Sequence, residues 1–374
     1  MIKVVEIISD RNIGGAGVLL VSRLKNSDRN TFKTIVVLPR KSELKARFER
    51  IGIPTLEVEA FADRSFDAKG IFILSLLLKK LKPDIVNAHA CLGARVAARI
   101  AKIPILIHTK HCIYPIKRIW TARPVRFINR KLDKLLGDKT VAVANVVKKQ
   151  LVATGIAPSR IRVIINGAEP LKRLEESERE DVRNSLGIAK DDVVVTVCAR
   201  LEKCKDHETF LRAAAYILQK NKKYRFLIIG GGTLENDLKT MAAKYNIEKN
   251  VIFTGKVDDV APYMNITNIN VNCSVGTETS SLALSEGMSL GIPAVVSDYG
   301  GNPYMVRNRV NGYVFPKRNA RALADRILEL SNRELYKKLS QGARKRFEEE
   351  LNSDRMTKDT EKLYISLIRQ KNLF

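Results

Sequence analysis

The stretch Gly276-Thr277-Glu278-Thr279-Ser280-Ser281-Leu282-Ala283-Leu284-Ser285-Glu286-Gly287-Met288 sets two carboxylates eight residues apart with a hydroxyl cluster between them. Ser and Thr side chains cap the free N–H groups of a first helical turn, so the cluster reads as a helix start. Leu282, Ala283 and Leu284 begin an apolar helix, and Gly291 and Pro293 stop it in the usual Gly-then-Pro order. Ala294-Val295-Val296 follows as a short buried strand, and Ile269 to Cys273 is the strand that delivers Glu278. Strand, helix and strand in succession build a parallel sheet.

Eight helical residues rise about 12 Å. That is longer than the roughly 5 to 9.5 Å between the two carboxyl groups of a glycosidase. It matches the length of a nucleoside diphosphate laid along the helix start. On that reading Glu286 holds ribose hydroxyls, Glu278 holds sugar hydroxyls, and the N–H groups of Ser281 and Leu282 face a phosphate, where the helix dipole favours negative charge. The plainer alternative is a capped helix with two solvated glutamates.

The pair, followed by Gly287-Met288-Ser289-Leu290-Gly291-Ile292-Pro293-Ala294-Val295-Val296, resembles the donor-site signature of glycosyltransferase family 4. Members of that family are retaining enzymes of the two-domain GT-B fold. One departure is visible: the family often has Gly-aromatic-Gly after the first Glu, and this chain has Thr279-Ser280-Ser281. The resemblance extends over nearly the whole chain, with its specific motifs in residues 200–301.

Working outward, Val193 to Ala199 reads as a buried strand running into Arg200-Leu201-Glu202-Lys203-Cys204-Lys205-Asp206-His207. Arg200 and Lys205 fall at its carboxyl end, where two fixed cations stabilise charge on a departing diphosphate. Surface charge is the alternative, but the spacing matches the same family. Val251 to Val257 is a strand with a glycine turn, and the resemblance assigns the backbone at Lys256 and Val257 to the base. Residues 2–8 form a strand, then Ser9 to Gly17 a loop with Gly14, Gly15 and Ala16, then a helix from Val18 to about Lys25. Glycine lets backbone N–H groups approach phosphate oxygens closely. The loop lacks G-x-G-x-x-G; the resemblance has it facing the donor, and a tight turn is the alternative.

His89, His108 and His111 fall at or near strand ends, where ligands of open parallel sheets sit. His108 and His111 are three apart, but no carboxylate or third ligand is near them in sequence, so no metal site is expected. The resemblance places His111 close to the donor sugar; a strand-end residue bonded to backbone is the alternative. No D-x-D occurs in the chain, which disfavours metal-dependent single-domain transferases. No cofactor is expected.

The 374 residues are 45% hydrophobic, enough for two ordinary domains, each with a core. The expected division is an acceptor-binding Rossmann-like domain at 1–170, a nucleotide-sugar-binding one at 171–353, and a closing helix at 354–374 that crosses back to the first. Lys172 to Asp181 reads as a charged linker, and 322–350 as one further helix. No apolar run approaches the ~18 residues of a membrane span. The N-terminus reads as a strand and not a signal peptide. Five scattered cysteines without C-x-x-C argue for the cytosol.

Net charge is +26, of which residues 1–170 carry +19 and residues 171–374 carry +7. A basic half implies an anionic partner. Residues 117–139 hold eight basic and two acidic residues, with Trp120 and Phe127 interleaved, and a helix is expected over Pro124 to Leu136. Basic and aromatic residues together suggest an anionic membrane surface; the alternative is a solvated helix with Phe127, Leu132 and Leu135 facing the core. A nucleic-acid binder is motivated by charge alone, with no ribonucleoprotein, zinc-finger or helix-turn-helix signal.

These readings converge on a cytoplasmic enzyme, peripheral at the inner face of the cell membrane. It is expected to move a hexose from a nucleotide sugar, UDP-linked by default, to a saccharide or polyprenyl-linked saccharide of a surface glycan. The resemblance implies departure of the diphosphate eased by Arg200, Lys205 and the Ser281 helix start, with acceptor attack on the same face. A nucleotide-sugar 2-epimerase of the same fold is the competing enzyme reading.

Overall fold

The computed structural model describes residues 1–59 and 67–373. The chain divides into two compact units, residues 1–167 with 353–374 and residues 168–352.

The first unit is built on β1 (Ile2–Ile8), β2 (Phe32–Pro39), β3 (Thr55–Val58), β4 (Ile85–His89), β5 (Ile105–Lys110), β6 (Lys139–Ala142) and β7 (Ile161–Val163). They lie in the order β3-β2-β1-β4-β5-β6-β7, every pairing parallel. Continuous apolar runs suit such strands because helices cover both faces. One face packs Val5, Ile7 and Val86 against helices Ala68–Leu81 and Leu92–Ile100 through Leu74, Leu78 and Ala94. The other packs Ile8, Val36 and Leu38 against Leu20 and Leu24 of helix Gly15–Lys25. The last helix, Ser353–Gln370, lies along Gly15–Lys25, with Thr357 Oγ1 donating to the Arg23 carbonyl at 3.1 Å.

The second unit holds β8 (Val193–Cys198), β9 (Tyr224–Ile229), β10 (Val251–Gly255), β11 (Ile269–Asn272), β12 (Ala294–Ser297) and β13 (Gly312–Phe315), in the order β10-β9-β8-β11-β12-β13, again all parallel. Strand order reverses between β1 and β4 in one unit and between β8 and β11 in the other. Ligands of this architecture bind beyond the carboxyl ends of the strands at such a point.

Three local expectations need correction. The region expected to be a linker contains the helix Glu176–Ser185, started by a reciprocal capping box between Glu175 and Glu178. Residues 322–350 are not one helix: Ala320–Glu329 ends, Asn332 caps Arg333–Arg346, and a π turn spans Phe347–Leu351. The basic stretch does form a helix, Arg123–Leu135, but Phe127, Leu132 and Leu135 do not face the core; they are 61%, 46% and 65% exposed.

That helix docks through polar groups instead. Asp133 is buried, accepting from Arg160 Nε at 2.6 Å and Thr140 Oγ1 at 3.1 Å. Arg95 and Arg99 donate to the carbonyls of Leu136 and Leu135, each at 2.8 Å. Gly155, at φ +108°, passes so close that a Cβ there would sit 2.4 Å from the Arg126 carbonyl oxygen. Among the described residues no helix is long and apolar enough to cross a membrane.

Candidate functional site

In the second unit, the loops leaving β8 and β11 meet at the switch point. The N–H groups of Val275 and Gly276 donate to the Cys204 carbonyl at 2.9 and 3.2 Å, stitching the two loops together. This brings Lys205 Nζ to 2.8 Å from Glu278 Oε2. Asn272 Nδ2 and Ser274 Oγ donate to the same oxygen at 3.1 and 2.9 Å. Glu278 is 5% exposed. Burial alone would raise its pKa; the Lys205 ammonium and the three hydrogen bonds outweigh it and hold the carboxyl below its ordinary value. All three donors converge on Oε2.

Backbone fit holds this loop in place. A Cβ on Gly300, at φ +61°, would lie 2.2 Å from the Glu278 carbonyl oxygen, and one on Gly301 would lie 1.7 Å from that of Thr279. Behind them Asn302 Nδ2 donates to Ser297 Oγ at 3.0 Å and to Asn272 Oδ1 at 3.3 Å. Asn272, Ser274 and the Gly300-Gly301 pair were not singled out from sequence. Their clue was polar residues closing an apolar strand and a double glycine one strand later.

Only Glu286 of the two signature glutamates is helical. The helix is Leu282–Ser289, with Ser281 as its cap, and Glu278 stands on the loop before it, so the 12 Å helical rise does not measure their separation. The Ser281 N–H donates to Met305 Sδ at 3.1 Å. Burial, with Asp259 adding, pushes the Glu286 carboxyl up to about 7. Its charge also acts on the Cys198 thiol at the end of β8, which burial raises to about 12. Glu286 is thus within electrostatic reach of Asp259, after β10, and of Cys198, at the end of β8.

Arg200 is not drawn into that pair. It is 70% exposed and bonds Glu202. The β8 loop is held by Gly231, whose carbonyl accepts from Leu201 N–H at 3.0 Å, and Gly230 N–H donates to the Gly255 carbonyl at 3.0 Å. The exposed Lys256 and half-buried Val257 follow directly. From the end of β10 to the end of β11 is three strand spacings, about 14 Å. His207, after Lys205, is buried with neither ring nitrogen hydrogen-bonded, and burial with Lys205 lowers its pKa to about 4.

The first unit carries its own polar centre at the β1–β4 switch point. Glu6 is fully buried; Arg23 and Tyr364 bond Oε1, and His89 Nε2 lies 2.8 Å from Oε2. Burial works against its charge, but Arg23, His89 and Tyr364 together bring it to about 2. His89 Nδ1 is 2.8 Å from His111 Nε2. Burial, with His89 and Arg23 adding, lowers His111 to about 3, so it is neutral near pH 7. His108 lines a different cavity and does not join His111. Among the described residues no group of three or more His, Cys, Asp or Glu is placed to hold a metal. Gly14 caps helix Gly15–Lys25, so Gly15 and Ala16 lie in its first turn; Gly17 is the crowded glycine, where a Cβ would meet Leu44 at 2.6 Å, while around Gly15 there is open space.

Two family profiles match the chain: "Glycosyltransferase Family 4" over residues 13–170 and "Glycosyl transferases group 1" over residues 178–346. A UDP-Gal:alpha-D-GlcNAc-diphosphoundecaprenol alpha-1,3-galactosyltransferase of Escherichia coli is 27% identical over 318 residues, 82% of this chain and 81% of that one. The capsular polysaccharide biosynthesis glycosyltransferase CapM of Staphylococcus aureus is 23% identical over 319 residues, 81% of this chain and 82% of that one. Among solved structures, a glycosyltransferase from Rickettsia africae superposes with a TM-score of 0.83 at 18% identity, covering 98% of each chain. HepE of Anabaena, in complex with UDP and glucose, also reaches 0.83 at 18% identity, covering 98% of this chain and all of that one. With both of its halves matched and its two parallel-sheet units shared with these structures, the chain belongs to glycosyltransferase family 4 and has the GT-B fold.

Proposed function

We propose that this glycosyltransferase retains anomeric configuration and moves a hexose from a UDP-linked donor to a lipid-linked saccharide during surface-glycan synthesis. The observation that carries the reading is the Lys205–Glu278 pair at the β8–β11 switch point, with Lys205, Asn272 and Ser274 all on one carboxylate oxygen. The base sits at Lys256 and Val257, the ribose at Glu286, and the diphosphate at Lys205, Arg200 and the Ser281–Leu282 helix start. Glu278 Oε1 accepts from the sugar. Sulfur is a weak acceptor, so a phosphate displaces Met305 from the Ser281 N–H. Lys205 has three N–H donors and spends one on Glu278, which leaves it able to stabilise charge on the departing diphosphate. Within the first unit, His111 as a neutral donor or acceptor and the open first turn at Gly14, Gly15 and Ala16 are the groups we assign to ligand contact.

The acceptor assignment draws on the E. coli relative, whose name specifies a diphosphoundecaprenol-linked substrate. The outward-facing Phe127, Ile128, Leu132 and Leu135, flanked by Arg123, Arg126 and Arg130, supply an anionic membrane surface with both apolar and basic contacts. The enzyme then works peripherally on the cytoplasmic face.

A donor panel read by mass spectrometry, with and without lipid-linked saccharide, tests the reaction. Product only with acceptor, in the donor's own anomeric configuration, supports it. Sugar isomerisation without acceptor means a 2-epimerase instead. For the membrane, wild type is expected to co-sediment with anionic liposomes and an Arg123→Glu, Arg126→Glu, Arg130→Glu variant is not; equal binding by the two sinks this surface.

A further inference from the structure

Beneath helix Arg123–Leu135 and the turn Arg118–Thr121 lies a cavity of about 510 Å³ within the first unit, separate from the Glu6–His89–His111 centre. Its walls are largely apolar, with Ile116, Trp120, Leu132, Leu151 and Ile156. Trp120 and Leu132 also belong to the exposed surface, so the cavity opens where the apolar residues face outward. At 510 Å³ it has room for a phosphate and roughly a dozen chain carbons, taking ~30 Å³ for each small group.

The polar groups inside are unbalanced. Lys110 and Arg95 both reach it, and His108 beside them is held well below its ordinary pKa by burial and by those cations, so it carries no charge. The carboxylate in the wall, Asp133, is already committed to Arg160 at 2.6 Å and to Thr140, with Arg95 farther off at 3.7 Å. Among the described residues no acidic side chain pairs with Lys110. Its ammonium lies 5.8 Å from the centre of the Tyr114 ring, and burial and Arg95 both disfavour its charged form, opposed by Cys112. A cation that is half-removed from water in an apolar pocket gains most from an anion that arrives with its own apolar body.

We infer that this cavity is a binding site for a phosphate-bearing lipid, with the phosphate on Lys110 and Arg95 and the first chain carbons along Ile116, Trp120 and Leu132. This rests on the lipid-linked acceptor reading and adds to it a place for the lipid. Charge complementarity selects the phosphate, and the apolar walls select the chain.

Trp120 is the chain's single tryptophan, so its emission reports on the cavity. The full-length protein is titrated with farnesyl phosphate, farnesol and inorganic pyrophosphate. A saturable emission shift is expected with farnesyl phosphate, at least tenfold weaker binding with farnesol, and no shift with pyrophosphate. Lys110→Met is expected to weaken farnesyl phosphate binding at least tenfold with an unchanged Tm, and Lys110→Arg to retain most of it. Equal responses to farnesol and farnesyl phosphate, or wild-type binding by a folded Lys110→Met, overturn the site. If Lys110-dependent binding is found but no lipid-linked saccharide is glycosylated, the site stands and the acceptor reading fails. If Lys110→Met glycosylates such an acceptor as efficiently as wild type, the acceptor reading stands and the site fails.

Discussion

Both units bring a carboxylate to the switch point of a parallel sheet and clothe it with hydrogen bonds, but the two carboxylates are used differently. Glu6 has both oxygens occupied, by Arg23 and Tyr364 on one side and His89 on the other. Glu278 takes all its donors on one oxygen. The first arrangement is closed and ties β1, β4, helix Gly15–Lys25 and the final helix together. The second puts Lys205, Asn272 and Ser274 on Oε2 alone, which is what the proposed sugar contact at Oε1 requires. Burial and a depressed pKa are common to both, so neither property alone separates an architectural carboxylate from one placed to meet a ligand. What differs between the two is the distribution of partners over the two oxygens.

The largest expected effect tests that division directly. Lys205→Ala should lower turnover on the order of 10²-fold or more, the loss that follows removal of one preorganised donor from an anionic transition state. Glu6→Gln should act through stability instead: it strands the buried Arg23 and costs about 3–5 kcal/mol. Denaturant melts and steady-state rates on both variants check this. A Glu6→Gln protein with normal stability and no activity would reverse the comparison.

Next in size is the pH response of nucleotide binding. With Glu286 at about 7 in the free protein, the ionised, hydrogen-bond-accepting form is lost as pH falls through neutrality. Nucleoside diphosphate affinity should therefore drop by up to tenfold per pH unit below about 7. In Glu286→Gln that slope should vanish while overall affinity is reduced. Isothermal titration from pH 8 to 5.5 reads both; a slope that survives the substitution belongs to another group.

Outside the proposed nucleotide site, the expected effect is on acid stability. His207 and His111 have folded-state pKa values of about 4 and about 3, below the ordinary 6.5. The unfolded chain thus binds more protons below pH 6.5, and stability present above that value is lost as pH falls toward 4 and 3. Each histidine contributes a slope of at most about 1.4 kcal/mol per pH unit. Urea melts of wild type and His207→Gln should diverge below pH 6.5 and run parallel above it.

The alternation of apolar runs with glycine turns and helical stretches made both sheets legible, because strands covered on both faces need little beyond continuous hydrophobicity. β3 is four residues long and half-buried at a sheet edge, too short to register as a pattern. Lys205 and Glu278 were found because they belong to a recognisable motif. Asn272, Ser274 and the paired glycines were not, since their meaning lies in contacts across strands rather than in spacing. For residues 123–135 the helical period was right, but no periodicity says which way a stripe faces. Asp133, bonded from β6 and from Arg160, turns its own side of the helix inward and leaves the apolar residues outside with the basic ones.

That reversal separates two properties that usually travel together in evolution. In an ordinary amphipathic helix, replacing Phe127 or Leu135 with serine would loosen the fold, and cellular quality control would remove the variant. Here those side chains have few neighbours to lose, so the same replacement would pass unnoticed by any selection for folding. Their persistence, or their drift to polar residues, in related chains would record a demand other than folding.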